Sequence, residues 1–337
     1  MRDLWVDYAK GIGIALVVFG HVNRGLYSSG VYLSEGAYTL VDSIIYSFHM
    51  PLFFFLAGLF FLQSIERKGK KEFIVSKADT IVYPYVVWSL IQGGIEVVLS
   101  NYTNSKTSLG EVLAFLIYPR AQFWFLYALF MIFAVAAVLW HRKYFNQYLP
   151  YLLILSLVMN VWQEELTNNF HLDFITNYLF FFMLGILFYK VSGKITANAN
   201  EVVFGGVAIL FILSQYLFHW GLGYTYTHTG MLSVLLAVIS IGFIVMLASM
   251  LSKMDLKLFR ILGELSMYIY LMHILAGSGM RIVLNKVLHT NSWTAHVLFG
   301  TLAGIIVPVI AVYVLKRWRA DFLFSRPRLS IKKKSYI

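Results

Sequence analysis

Apolar residues recur along this chain in stretches that are long enough to cross a lipid bilayer. A membrane-spanning α-helix needs about twenty such residues. This criterion predicts ten spans, at 4–25, 39–63, 79–99, 122–140, 148–162, 173–190, 202–220, 229–251, 259–283 and 293–315. The fifth span is the shortest. The pattern therefore predicts an all-α, polytopic membrane bundle of about ten transmembrane helices.

Lysines and arginines collect in alternate connections between these spans, which predicts the orientation of the bundle. With both termini cytoplasmic, most of the 27 basic residues face the cytoplasm, as the positive-inside rule requires. The residues assigned to the opposite side are Arg24, Lys106, Arg120, Arg281 and Lys286. The same reading predicts a ten-helix membrane domain over 1–316 and a basic cytoplasmic tail over 317–337.

Composition supports the membrane assignment and narrows the chemistry. Hydrophobic residues make up 59% of the chain, charged residues 13%, and the mean hydropathy is +0.72. The net charge of +11 is explained by anionic membrane lipids as partners, so no nucleic acid is required. The absence of cysteine excludes disulfides, thiolate metal sites and a cysteine nucleophile, and no metal site is predicted.

Two ionisable residues, Lys10 and His21, lie eleven positions apart in the first span. At about 100° per residue they share one helix face, about 16 Å apart along the axis. Ionisable residues inside a membrane helix are costly and indicate a functional site. Asp7 can pair with Lys10 from one turn earlier. The alternative for Lys10 is that its ammonium extends to the membrane interface.

Further polar side chains accompany other predicted spans. His49 precedes Met50 and Pro51 in the second span, where it is either catalytic machinery or a partner for backbone groups freed by the proline. Arg120 and Trp124 lie at the outer end of the fourth span. Tryptophan there also serves as an interface anchor.

A basic run lies between the second and third spans, and two ionisable residues lie in the ninth. The run contains Arg67, Lys70 and Lys71 and is followed by Lys77. The run either belongs to the excess of basic residues that the positive-inside rule expects on the cytoplasmic side, or it binds a polyanionic donor. The ninth span carries Glu264 and His273.

Five of these motifs, in order, resemble the acyltransferase-3 family, whose multi-spanning members O-acylate bacterial surface glycans and related molecules. Val6–His21 is similar to the family's first-helix motif of a basic residue and a histidine, and Phe48–Gly58 to its second-helix signature. Tyr118–Arg120, Phe123–Leu126 and Gly263–His273 are similar to three later elements. The resemblance covers nearly the whole chain.

The chain departs from the family pattern at two positions. Lys10 stands where the family often has arginine, which keeps the charge and loses the planar guanidinium. Thr80 stands three positions after Lys77, where a second basic residue is expected. Residues 67–71 could supply donor-binding charge in its place.

The resemblance implies a membrane O-acyltransferase in the bacterial cytoplasmic membrane. It would hold no bound cofactor and would take acetyl-CoA, or another acyl-CoA, as donor substrate. Its acceptor would be a surface glycan or a lipid-linked oligosaccharide. A transporter or flippase, or a structural membrane protein, fits the hydropathy as well. The acceptor sugar, the choice of acetyl or succinyl, and the oligomeric state stay open.

Within that resemblance the polar residues receive expected roles. His21 is the expected catalytic base, with a covalent acyl-histidine as the variant. Asp7 and Lys10 form an inner charged pair, and Arg120 serves the acceptor or developing negative charge. The expected substrate- or donor-binding residues are His49, Lys77, Arg67, Lys70, Lys71, Trp124, Glu264 and His273.

Overall fold

Helices form nearly all of the described part of the chain, which in this computed structural model comprises residues 4–99 and 108–327. The first eight are α1 (Leu4–Tyr27), α2 (Glu35–Tyr46), α3 (His49–Leu59), α4 (Phe61–Lys68), α5 (Lys70–Lys77), α6 (Tyr83–Val98), α7 (Leu109–Leu113) and α8 (Trp124–Leu139). The others are α9 (Phe145–Val161), α10 (Gln163–Leu166), α11 (Phe170–Ala197), α12 (Glu201–Tyr216), α13 (Met231–Lys253), α14 (Lys257–Glu264), α15 (Ser266–Lys286) and α16 (Trp293–Arg317). These ranges contain no strand. Lys106 and residues 328–337 of the predicted tail lie outside the described residues.

Nine helical stretches of the described residues are long and apolar enough to cross a membrane. They are Leu4–Tyr27, Glu35–Lys68, Lys70–Val98, Ala121–Leu139, Phe170–Ala197, Glu201–Gly221, Met231–Lys253, Ser266–Lys286 and Trp293–Arg317. The predicted fifth span corresponds to α9, an apolar helix of 17 residues that falls short of that length. The all-α membrane bundle is confirmed, whereas the cytoplasmic location of the termini stays a prediction.

The basic run between the second and third spans is helical. The run divides between α4 and α5, which meet at Gly69. Gly69 has a φ of +76°, in a region of backbone conformation that glycine adopts without steric cost. A π-helical turn, Ala78–Val82, then joins α5 to α6. The third span therefore begins at Lys70, earlier than the apolar pattern alone predicts.

Glycine contacts bring the central helices into backbone contact. A Cβ at Gly263 of α14 would overlap the carbonyl oxygen of Asp7 on α1, and a Cβ at Gly11 would overlap that of Phe259. Small residues allow such close approach between membrane helices. Because α1 also packs against α13, α15 and α16, it lies at the centre of the bundle.

The chain after α16 packs back onto the bundle. The Trp88 indole N–H donates to the carbonyl of Leu323 at 2.9 Å. The Phe324 ring stacks 5.7 Å from the Trp88 ring and meets Tyr268 edge-on at 4.8 Å. This first part of the predicted tail is thus an ordered part of the fold.

Candidate functional site

Two separate cavities lie along α1 and α15. They are called outer and inner after the predicted orientation of the bundle. The outer cavity, about 30 Å³, is lined by His21, Val22, Gly25, Leu26, His273, Ile274, Gly277, Ser278, Arg281 and His296. The inner cavity, about 280 Å³, is lined by Lys10, Ile14, Val17, Met50, Phe53, Leu56, Ala57, Phe60, Lys77, Thr80, Ile81, Phe125, Leu129, Phe133, Ser266, Met267 and Tyr270. They share no lining residue. Lys10 and His21 therefore belong to different cavities on the same helix.

About one helical turn separates the cavities on both helices. On α1 the inner cavity ends at Val17 and the outer cavity begins at His21; on α15 the corresponding residues are Tyr270 and His273. Three or four residues rise about 4.5–6 Å along a helix. A group at the end of one cavity is therefore close to a group at the start of the other.

His21 and His273 face each other across the outer cavity, with ring centroids 5.2 Å apart. His273 is 1% exposed, and its Nδ1 lies 2.8 Å from the carbonyl oxygen of Tyr270. Since a carbonyl only accepts, Nδ1 carries the proton and Nε2 carries the lone pair. Nε2 is buried and has no hydrogen-bond partner in the described part of the chain. His273 thus offers a bare acceptor next to a half-buried His21.

His49 and Tyr46 extend this cluster onto α2 and α3. The Tyr46 ring lies beside both His49 and His21, with its ring centroid 4.4 Å from that of His49 and 6.4 Å from that of His21. His49 Nδ1 donates to the carbonyl of Ile45 at 2.8 Å, across the break between the two helices. His49 therefore shares the Ile45 carbonyl with the Phe48 N–H at the break, and it also lies beside the candidate site. The Tyr46 hydroxyl is buried without a hydrogen-bond partner among the described residues.

Arg24 and Asp42 form a bidentate ion pair above Tyr46. Arg24 Nε and Nη2 donate to the two carboxylate oxygens of Asp42 at 2.7 and 2.8 Å. The guanidinium carbon lies 3.2 Å from the Tyr46 ring centroid and 5.1 Å from that of Tyr226, within the range of cation–π contacts. This pair was not predicted from the sequence, although Asp42 inside the second apolar stretch was a usable signal.

Two further polar residues of the outer cavity, Arg281 and His296, were not predicted as site residues. Arg281 Nη1 donates to the carbonyl of Gly25 at 2.5 Å. His296 Nε2 donates to the carbonyl of Thr290 at 2.9 Å, which leaves its buried Nδ1 with a lone pair and no partner in the described chain. Their membership depends on how α15 and α16 pack against α1, which no local motif encodes.

The inner cavity combines aromatic walls with two lysines. Lys77 Nζ lies 4.0 Å from the ring centroid of Phe133, a cation–π contact that offsets part of the cost of partial burial. Lys10 lines the same cavity, and Asp7 is buried one turn earlier on α1. Of the predicted substrate- or donor-binding residues, Lys77 alone lines this cavity, where it is joined by Lys10 of the predicted charged pair.

The predicted acceptor residue Arg120 lies in a polar cluster outside both cavity linings. Its Nη2 donates to Glu96 Oε2 at 3.3 Å. Gln92 and Gln122 exchange hydrogen bonds beside it, and the Tyr270 hydroxyl donates to the Gln122 carbonyl. Hydrogen bonds through Glu96, Gln92 and Gln122 therefore connect Arg120 to Tyr270, which lines the inner cavity.

The remaining predicted residues lie apart from the histidine cluster. Trp124 stacks on Phe174 at 5.8 Å, and Glu264 pairs with Arg260 at 3.7 Å on a half-exposed surface. Arg67, Lys70 and Lys71 are exposed; Lys70 and Lys71 line a shallow pocket open to solvent. No group of three or more His, Cys, Asp or Glu side chains in residues 4–99 and 108–327 has the arrangement of a metal site.

Comparison with known proteins identifies the family. Residues 3–313 match the family described as "Acyltransferase domain", the acyltransferase-3 family. The chain is also 30% identical over 145 residues to nodulation protein NolL of Mesorhizobium japonicum, an alignment that covers 41% of this chain and 36% of that protein. No solved structure matches significantly. Because the family match spans nearly the whole chain, the protein belongs to the acyltransferase-3 family of membrane acyltransferases.

Proposed function

We propose that this protein transfers a short acyl group, acetyl or succinyl, from cytoplasmic acyl-coenzyme A to a hydroxyl of a surface glycan or lipid-linked oligosaccharide. The observation that carries the proposal is the approach of the two cavities to within about one turn at His21 and Tyr270. Two substrates could reach a common point from opposite ends of the bundle. The basic connections favour a bacterial cytoplasmic membrane with the inner cavity on the cytoplasmic side.

The inner cavity suits the acyl-carrying arm of the donor. Its aromatic and aliphatic walls match an apolar chain, and the ammonium groups of Lys10 and Lys77 attract the phosphates that follow it. A thioester that reaches Tyr270 would stand one turn from His273. The donor would thus present its acyl group to the outer cavity while the rest of the coenzyme A stays on the inner side of the bundle.

His21 is the proposed base because it is partly exposed in the outer cavity, whereas His273 is buried. Its imidazole takes the proton of the acceptor hydroxyl while that oxygen attacks the thioester carbon. The C–O bond forms, the carbonyl becomes an oxyanion, and its collapse breaks the C–S bond. The coenzyme A thiolate leaves and takes the proton from the imidazolium. His273, with its bare Nε2, stabilises the transiently positive ring of His21.

Tyr46 is the proposed donor to the oxyanion. Its hydroxyl is buried and unpartnered among the described residues, and its ring contacts both His21 and His49. Arg24, stacked on the same ring, makes the surroundings of Tyr46 favourable to negative charge. In the covalent variant His21 itself carries the acyl group, and the hydroxyl proton would pass to His273.

The test is acyl transfer by membranes that contain the wild type or His21→Ala, supplied with radiolabelled acetyl-CoA and purified surface glycan. His141→Ala is the matched control, because His141 is exposed and stacks only on Tyr144 among the described ring contacts. Protein abundance is measured for each variant. We expect loss of labelled glycan for His21→Ala alone. Full glycan acylation by that variant would refute the role of His21.

A deletion strain tests the reaction class. Loss of an acyltransferase removes acyl increments from the mass of each glycan repeat and leaves the polymer at the surface. Loss of a flippase removes the surface polymer itself. Mass spectrometry of surface glycan from the deletion strain therefore separates the proposal from a transport function, and polymer loss would contradict it.

A further inference from the structure

The last described part of the chain, residues 318–327, forms one wall of a third cavity. We call it the C-terminal segment. It is fixed to the bundle by the Trp88–Leu323 hydrogen bond and by Phe324, which packs between Trp88 and Tyr268. The third cavity, about 670 Å³, is lined by Ser76, Asp79, Thr80, Arg319, Asp321, Phe322, Ser325, Arg326 and Pro327. It lies between the segment and the junction of α5 and α6.

The third cavity adjoins the inner cavity at a single residue. Thr80 lines both of them. Thr80 is also the position at which the resemblance led us to expect a second basic residue after Lys77. Two arginines of the C-terminal segment, Arg319 and Arg326, line the same cavity as Thr80.

Arg319 is held in a backbone conformation that glycine normally supplies. Its φ is +57°, and the bonds Ala320 N–H to Leu315 C=O at 2.9 Å and Arg319 N–H to Lys316 C=O at 3.0 Å close a Schellman-type turn. An arginine in this left-handed position carries a steric cost that glycine avoids. Strained residues of this kind concentrate at functional sites.

The mixed charges of the third cavity favour a nucleotide over a simple anion. Arg319 and Arg326 are donors for phosphate, whereas Asp79 and Asp321 accept from hydroxyl and amino groups. Arg326 lies 3.9 Å from Asp79 in a loose, exposed pair, which a phosphate can displace. Lys68, whose Nζ donates to Ser76 at 2.5 Å, adds positive charge beside the lining.

We infer that the third cavity is the nucleotide subsite of the acyl donor, with Arg319 and Arg326 acting together with Lys77 on its phosphates, an inference that rests on the proposed use of acyl-coenzyme A. The pantetheine arm then passes Thr80 into the inner cavity, and the thioester lies toward Tyr270. The C-terminal segment is thus part of the donor site, and its arginines provide the charge that Thr80 lacks.

The experiment measures binding of coenzyme A and of pantetheine, which lacks the nucleotide, to the purified full-length protein in nanodiscs of phosphatidylcholine. Arg319→Gln and Arg326→Gln each remove charge-assisted bonds to phosphate, so we expect the Kd for coenzyme A to rise about 10-fold or more. The Kd for pantetheine stays unchanged. Arg317→Gln, an equal loss of charge just outside the lining, is the matched control. Adding Thr80→Arg to Arg326→Gln restores most of the affinity.

Arg319→Gly gives a second, independent readout. It relieves the left-handed strain, so the melting temperature rises while affinity for coenzyme A falls. Unchanged coenzyme A binding in both arginine variants overturns the inference, as does an equal loss for pantetheine. An effect that appears only in phosphatidylglycerol nanodiscs assigns the arginines to lipid and also overturns it. Wild-type protein that binds neither ligand refutes the proposed donor itself.

Discussion

Removing Arg24 from the Arg24–Asp42 pair should destabilise the protein more than removing Asp42. The Arg24 side chain is 31% exposed and that of Asp42 is 6% exposed. Arg24→Gln leaves the carboxylate of Asp42 buried and unpaired. Removing one partner of a buried ion pair in this way costs about 3–5 kcal/mol. Asp42→Asn leaves a guanidinium that water can partly solvate and that still stacks on Tyr46. We expect a destabilisation of about 1.5–2 kcal/mol for that change, the lower part of the range for hydrogen bonds to charged groups.

The double variant tests the reasoning directly. With both charges removed, Arg24→Gln/Asp42→Asn no longer leaves a buried carboxylate unpaired, so its destabilisation should be smaller than that of Arg24→Gln alone. Thermal unfolding in one detergent, followed by tryptophan fluorescence, gives the three shifts on a common scale. Equal shifts for the two single variants, or a double variant equal to their sum, would refute the assignment of the cost to the buried carboxylate.

Three other predictions follow from contacts described above. Tyr46→Phe should lower kcat about 100-fold, the effect of losing one oxyanion donor, with little change in melting temperature, because the hydroxyl has no partner in the described chain; a kcat like that of the wild type would contradict this. Gly185→Ala places a Cβ that overlaps the carbonyl oxygen of Phe55 and lies 2.9 Å from its carbonyl carbon, so the two helices must separate and the melting temperature should fall by the equivalent of about 3 kcal/mol or more. Gly242→Ala, with nothing within 4 Å, should not lower it. Lys77→Met should raise the KM for acetyl-CoA about 10-fold, because the proposed contact between its ammonium and a donor phosphate is lost. Lys77→Arg should keep most of the affinity, and equal KM values for the two variants would argue against a role of the charge.

The helices of this bundle were predictable because a bilayer imposes a simple local rule. Apolar length located every long span, and helical periodicity placed Lys10 and His21 on one face. Segments that do not meet the rule were harder to predict. The 17-residue α9 is too short for a clear assignment, and the basic run is helical although its polarity suggested a connection between spans.

The candidate site was predictable only where its residues belong to local motifs. His21, His49 and His273 each lie in a recognisable segment of sequence, and their rings gather around Tyr46 or the outer cavity. Arg281 and His296 join them only through the packing of helices that are far apart in the chain. The role of Arg24 similarly depends on an aspartate 18 positions away, on a different helix.

The thin partition between the inner and outer cavities also bears on the electrical resistance of the membrane. A continuous channel through the bundle would let protons and ions dissipate the membrane potential. Val17 and Tyr270 end the inner cavity, and the 30 Å³ of the outer cavity has room for about two or three water molecules. Under the proposed mechanism, an acyl group would pass from one side of the membrane to the other while the protein remains an insulator. Proteoliposomes loaded with a pH-sensitive dye should therefore hold a proton gradient as long as protein-free vesicles do.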